Sequence, residues 1–125
     1  MLTADEVYAR VAERLPETLE LDGEAATHEV LAAVAARLTA DEAAELGAEL
    51  PTELGDILAE AHGARGFDRD GLLEDLAVRL DVDDDDAESA AATVLRVVRE
   101  AIEPMVSIDQ VLESLPPELA QLMQP

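Results

Sequence analysis

Val7-Tyr8-Ala9-Arg10-Val11-Ala12-Glu13-Arg14-Leu15 returns 65 positions later as Leu72-Leu73-Glu74-Asp75-Leu76-Ala77-Val78-Arg79-Leu80, so that Val7, Val11 and Leu15 fall on Leu72, Leu76 and Leu80. Two further blocks follow in the same order. At an offset of 64, Val30-Leu31, Val34 and Leu38 fall on Val94-Leu95, Val98 and Ile102; at 65 again, Leu50-Pro51-Thr52-Glu53-Leu54 falls on Leu115-Pro116-Pro117-Glu118-Leu119. Ordered self-similarity at one period is the mark of a duplicated structural unit. The units span residues 3–62 and 67–123 of a single domain, 1–125.

Each unit reads as four short helices, because apolar residues recur at helical spacing behind capping residues and no stretch alternates as a strand would. Thr3 with Glu6 forms a capping box ahead of a stripe of Val7, Val11 and Leu15, and the counterpart helix follows Asp68. A second, alanine-rich helix opens after Asp22. Its counterpart, expected over 87–102, aligns Ala87, Ala90, Ala91, Val94, Leu95, Val98 and Ile102 on one face. These two helices are expected to form the central, closely packed pair. Thr39 with Glu42 and Ser107 with Gln110 open third helices that bury Ala43, Leu46 and Leu50 or Ile108, Val111 and Leu115. Leu50-Pro51 and Leu115-Pro116 close them and start fourth helices, since proline disfavours helix in the residue before it but suits a first helical turn. The expected fold is all-α: a helical bundle of two tandem four-helix repeats sharing one core about a pseudo-twofold axis.

The run Leu38-Thr39-Ala40-Asp41-Glu42-Ala43-Ala44-Glu45-Leu46 leading to Leu50-Pro51-Thr52-Glu53-Leu54, with Leu115-Pro116-Pro117-Glu118-Leu119 near the end, resembles domain-of-unknown-function family 2267, small helical prokaryotic proteins in which this unit often occurs twice. Nearly the whole chain takes part. Where that family often carries an aromatic residue just after the Leu-Pro element, this chain has Ile57-Leu58 and Leu122-Met123. The resemblance implies a fold and no activity, ligand or catalytic residue.

Thirty Asp and Glu stand against eight basic residues, all arginine, for a formal net charge of −22. Such a surface repels phosphate backbones and anionic lipid, which excludes nucleic acid and membrane surfaces as expected partners. Disorder is excluded too, because 49% of the residues are hydrophobic and interleaved with the charges. Lysine-free acidity suits a protein adapted to molar salt, where concentrated ions screen self-repulsion; a GC-rich genome is the alternative source of the same bias. The absence of cysteine removes disulfides, thiolate metal sites and cysteine nucleophiles. Met1 to Glu6 lacks the features of a signal peptide and the longest uncharged apolar run is Val30 to Ala36, so a soluble cytoplasmic protein is expected.

Candidate sites thin out under inspection. Asp81, Asp83 and Asp85 match the first three ligands of a calcium loop, but Asp86 stands where the turn needs glycine and Ala92 where a bidentate glutamate should close the sphere. His28-Glu29 begins like a zinc-protease helix, yet position 32 is alanine, and His28 aligns with Ala92, opposite the apolar stripe, which predicts a solvent-facing ring. His62 suits a helix end. Ser89, Ser107 and Ser114 sit in no nucleophile elbow. Arg14 and Arg79, at equivalent positions near helix ends, suit the helix dipole and local ion pairs. No catalytic, cofactor-binding or metal-binding residue is assigned, and no cofactor is expected. The leading reading is a non-enzymatic module that binds an unknown protein partner or self-associates. The alternatives are an enzyme whose carboxylates act with Arg or His28 in a cleft between the repeats, and an acidic mimic of nucleic acid.

Overall fold

The computed structural model describes residues 2–61, 68–102, 113 and 116–123. Among them run seven α-helices and no strand: α1 (Ala4–Arg14), α2 (Gly23–Ala35), α3 (Ala40–Ala48), α4 (Thr52–Ala61), α5 (Arg69–Leu80), α6 (Asp84–Ile102) and α7 (Pro117–Met123), with a 3-10 turn at Glu17–Leu19. The helix expected after Ser107 lies outside the described residues, as does His62.

Helix starts are set by side chains that accept the otherwise unbonded first-turn amides. The Thr3–Glu6 and Thr39–Glu42 capping boxes form, and Ser107 with Gln110 lies outside the described residues. The Glu6 amide donates to Thr3 Oγ1 at 3.2 Å and the Thr3 amide to Glu6 Oε1 at 3.1 Å; Thr39 and Glu42 repeat the exchange at 3.1 and 2.9 Å. Asp22 and Asp68 cap α2 and α5 by accepting from Ala25 and Gly71, each at 3.2 Å. α6 begins three residues earlier than its apolar stripe predicts. Asp83 caps it through the Asp86 amide at 2.8 Å, and Asp84, Asp85 and Asp86 fill the first turn, where the helix dipole favours negative charge. Asp81 ends α5 in the left-handed region at φ 56°, a conformation aspartate tolerates better than most residues.

The helices stack in three tiers. α1 and α2 form the middle; the α3–α4 hairpin covers them from one side, and α5 and α6 from the other, with α7 against α6. The expected stripes are buried: Val7, Val11 and Leu15 on α1; Ala43, Leu46 and Leu50 on or beside α3; and all seven named residues of α6. Each fully buried leucine or valine is worth about 1.5–3 kcal/mol relative to exposure. α2 and α6 do touch, but more of the packing across the middle lies in the crossed pairs, α2 on α5 and α1 on α6, so they are not the dominant central pair. Gly23 allows the close crossing of α1 and α2, since a Cβ there would stand 2.4 Å from the Tyr8 carbonyl oxygen. No helix among the described residues is long and apolar enough to cross a membrane.

Candidate functional site

The first turns of α1, α2 and α4 converge on one cleft. Acidic residues favour first turns, and here Asp5, Glu24 and Glu53 come together for that reason. With Thr3, Ala4 and Tyr8 they line a cleft of about 340 Å³. Tyr8 is held by a partner on the next helix: its Oη lies 2.8 Å from His28 Nε2, and the two rings meet edge to face with centroids 5.4 Å apart. The phenol donates whenever Nε2 is the unprotonated nitrogen. His28 is thus half-buried against Tyr8 and not the solvent-facing ring its alignment predicts, because an aromatic side chain on α1 reaches over it.

Burial pushes the Tyr8 phenol above its ordinary range, and Glu24, Glu53 and Asp5 add to the rise, because a phenolate beside three carboxylates would be repelled. The group therefore stays a neutral hydrogen-bond donor. None of the described ion pairs involves Asp5, Glu24 or Glu53. A half-buried phenol with an aromatic face, among carboxylates without a described cationic partner, can receive a cation bearing N–H donors.

Elsewhere, arginines are taken up between helices. Arg10 and Arg14 of α1 both donate to Glu100 of α6, Arg10 at 3.0 Å. Arg14 therefore pairs across the molecule and not locally. Its hydrogen bond to Glu100, opposed by partial burial and joined by the Arg10 contact, holds that carboxyl below the usual carboxylate range. Arg37, 9% exposed, donates to the Ala33 carbonyl at 3.1 Å, Asp75 at 2.9 Å and the Gly71 carbonyl at 2.9 Å, tying the end of α2 to α5. Burial raises the Asp75 pKa, but hydrogen bonds from Arg37 and Arg79 outweigh it and hold the group low. Arg79 bonds Asp75 at 3.0 Å, the local pair expected of it, and approaches Glu29 at 4.0 Å. Arg69 pairs through its guanidinium with Glu88, while its amide donates to Glu118 at 2.9 Å.

Asp81 and Asp83 to Asp86 are distributed over a helix end, a cap and a first turn, and no group of three or more His, Asp or Glu among the described residues is arranged to hold a metal ion. Ser89 lies in α6, its carbonyl accepting from the Thr93 hydroxyl at 2.8 Å; Ser107 and Ser114 lie outside the described residues. Sequence reasoning passed over Tyr8, Glu24, Glu53 and Arg37. A usable signal existed for the two glutamates, since Glu24 and Glu53 align with Glu88 and Glu118.

The family model described as an uncharacterized conserved protein, DUF2267, matches residues 4–122, in agreement with the resemblance carried by the Leu-Pro elements. No curated protein and no solved structure matches the chain.

Proposed function

For a chain that belongs to the DUF2267 family of uncharacterized conserved proteins, we propose a non-enzymatic role: a module of two related helical units, 3–62 and 67–123, that binds a basic protein partner through its acidic surface. The observation that carries this reading is the disposition of charge. Of eight arginines, Arg10, Arg14, Arg37, Arg69 and Arg79 form side-chain ion pairs, and among the described residues these five guanidinium groups pair with Glu29, Asp75, Glu88 and Glu100. The large excess of carboxylate faces outward, where it steers a cationic partner and repels an anionic one. The twofold arrangement is supported by matched roles at aligned positions: Thr3 and Asp68 both cap, and Leu54 and Leu119 are both fully buried.

The test is capture from a lysate of the source cells at their own ionic strength, with each hit purified and its binding measured by calorimetry. A basic protein binding stoichiometrically, with affinity that falls as salt rises, is the expected result. Partners without net positive charge, or affinity indifferent to salt, would overturn it. If DNA competes for the partner's same surface, the module acts as a mimic of nucleic acid.

The Tyr8–His28 pair favours a second reading, an enzyme that uses the phenol and imidazole as proton donor and acceptor beside the carboxylates. Its cleft lies within the first unit, formed by α1, α2 and α4, and not between the units. Turnover of any substrate that Tyr8→Phe abolishes would establish it over the binding role.

A further inference from the structure

The two units treat one matched pair of glutamates differently. Glu24 and Glu53 align with Glu88 and Glu118, and Ala4 aligns with Arg69, the residue just after the cap in each unit. In the second unit the Arg69 guanidinium pairs with Glu88, while the Glu118 carboxylate accepts from the Arg69 backbone amide at 2.9 Å. In the first unit the aligned residue is alanine, and the corresponding space is the open cleft beside Tyr8. One copy of the fold thus places a guanidinium on Glu88, the counterpart of Glu24.

We infer that the cleft lined by Ala4, Asp5, Tyr8, Glu24 and Glu53 is a binding site for a guanidinium group, supplied by another molecule where the second unit supplies Arg69. A planar guanidinium offers several N–H donors to two carboxylates at once and stacks on an aromatic face, which a compact ammonium does less well. Tyr8 lines the cleft, and beyond the rise that burial imposes on its phenol, Glu24, Glu53 and Asp5 raise it further through the negative potential a cation would relieve. The inference deepens the proposed binding role and rests on the matched-unit reading; it stands or falls on purified protein, without any natural partner.

Tyr8 is the only tyrosine and the chain has no tryptophan, so phenol absorbance and fluorescence report on this cleft alone. The experiment titrates the protein with ethylguanidinium, with butylammonium, and with a short peptide bearing one arginine, at low salt. Saturable changes in the Tyr8 signal are expected for both guanidinium probes, with a dissociation constant on the order of 1 mM, and weaker ones for the ammonium. Guanidinium binding lowers the phenol pKa. Glu24→Gln and Glu53→Gln, both on exposed positions, each weaken binding by about fivefold, the size of a surface charge pair. Ala4→Arg fills the cleft from within and abolishes it, while Glu45→Gln, on the exposed side of α3, leaves it intact. Equal affinity for both guanidinium probes identifies a small molecule as the source; a clear preference for the peptide identifies a partner's side chain. A Tyr8 signal that does not saturate, or one that saturates equally in Glu24→Gln and Glu53→Gln, would overturn the inference even if a basic partner had been found.

Discussion

Two seams join α5 and α6 to the middle tier, and they use the same ions with the polarity reversed. At the α1–α6 seam the outer helix supplies the carboxylate, Glu100, and the inner one the arginines, Arg10 and Arg14. Across the α2–α5 seam the inner cation is Arg37, just past the end of α2, and the outer carboxylate is Asp75 of α5, which also receives Arg79. The units' alignment places Arg10 on Asp75 and Arg14 on Arg79, so one position carries opposite charge in the two seams. Surroundings differ as much as sign. The Arg10 and Arg14 side chains are 42% and 45% exposed, whereas that of Arg37 is 10% exposed and uses three acceptors. The matched positions 10 and 75 therefore enter a screened surface contact in one place and a largely buried clasp in the other, because solvent decides what an ion pair is worth.

The largest effect expected is from Arg37→Met, which keeps the apolar stem but leaves Asp75 with Arg79 alone and takes a charged donor from the Ala33 and Gly71 carbonyls in partly dry surroundings. A loss of about 3 kcal/mol in urea unfolding is expected. Arg37→Lys recovers only part of it, since one ammonium cannot span three acceptors in fixed directions. A loss below about 1 kcal/mol for Arg37→Met would make the two seams equivalent and erase the distinction between them.

Acidification separates the seams from the rest of the surface. Asp75 and Glu100 are held below the ordinary carboxylate range, so their contribution is present above a pH of about 4 and is lost as pH falls through their lowered values. Self-repulsion of the other carboxylates runs the opposite way, easing as pH falls towards the isoelectric point near 4.1. The thermal midpoint is expected to rise on going from neutral to mildly acidic pH and to turn down below it. A midpoint that falls steadily from neutrality would show that specific carboxylate contacts outweigh repulsion throughout.

Salt gives the smallest distinction. The thermal midpoint of the wild type is expected to rise between about 0.1 M and 2 M potassium chloride, as the Debye length shrinks from about 10 Å to below 3 Å and the net charge of −22 is screened. Glu100→Gln costs under about 1 kcal/mol at low salt, and the difference from wild type narrows as salt rises, because its partners are exposed. Arg37→Met keeps its deficit across the series. A flat or falling wild-type curve would remove the physical support for adaptation to high salt.

Much of this architecture could be read from the chain because its signals are local. A capping box needs residues three apart, and an apolar stripe needs one helix, so Thr3, Thr39 and the stripe of α6 stand in the sequence as they stand in the fold. The start of α6 was less legible, since a run of aspartates offers several competent caps and only packing selects Asp83. Contacts between helices were not legible. The repeat alignment and the stripe of its own helix turn His28 to solvent, yet its ring answers to Tyr8, twenty residues away. Arg37 reads as surface by residue type, and only the crossing of α2 with α5 encloses it. Glu24 and Glu53 belong to different helices, so their meeting at one cleft could be suspected only through the sequence self-match that sets them on Glu88 and Glu118.

Position in the middle tier has a consequence for the way the protein breathes. α2 is buried at Gly23, Ala26, Thr27, Val30, Leu31, Ala33, Val34 and Ala35, enclosed by α1, α4, α5 and α6 together. The α3–α4 hairpin can lift away, or α5 and α6 can part from the other side, and in either case α2 remains covered on its opposite flank. Its amides should exchange with deuterated solvent only when the whole molecule opens, while amides of the outer helices exchange through smaller, more frequent excursions. The helix that makes the fewest statements on the surface is thereby the one whose exchange rate measures the global unfolding free energy.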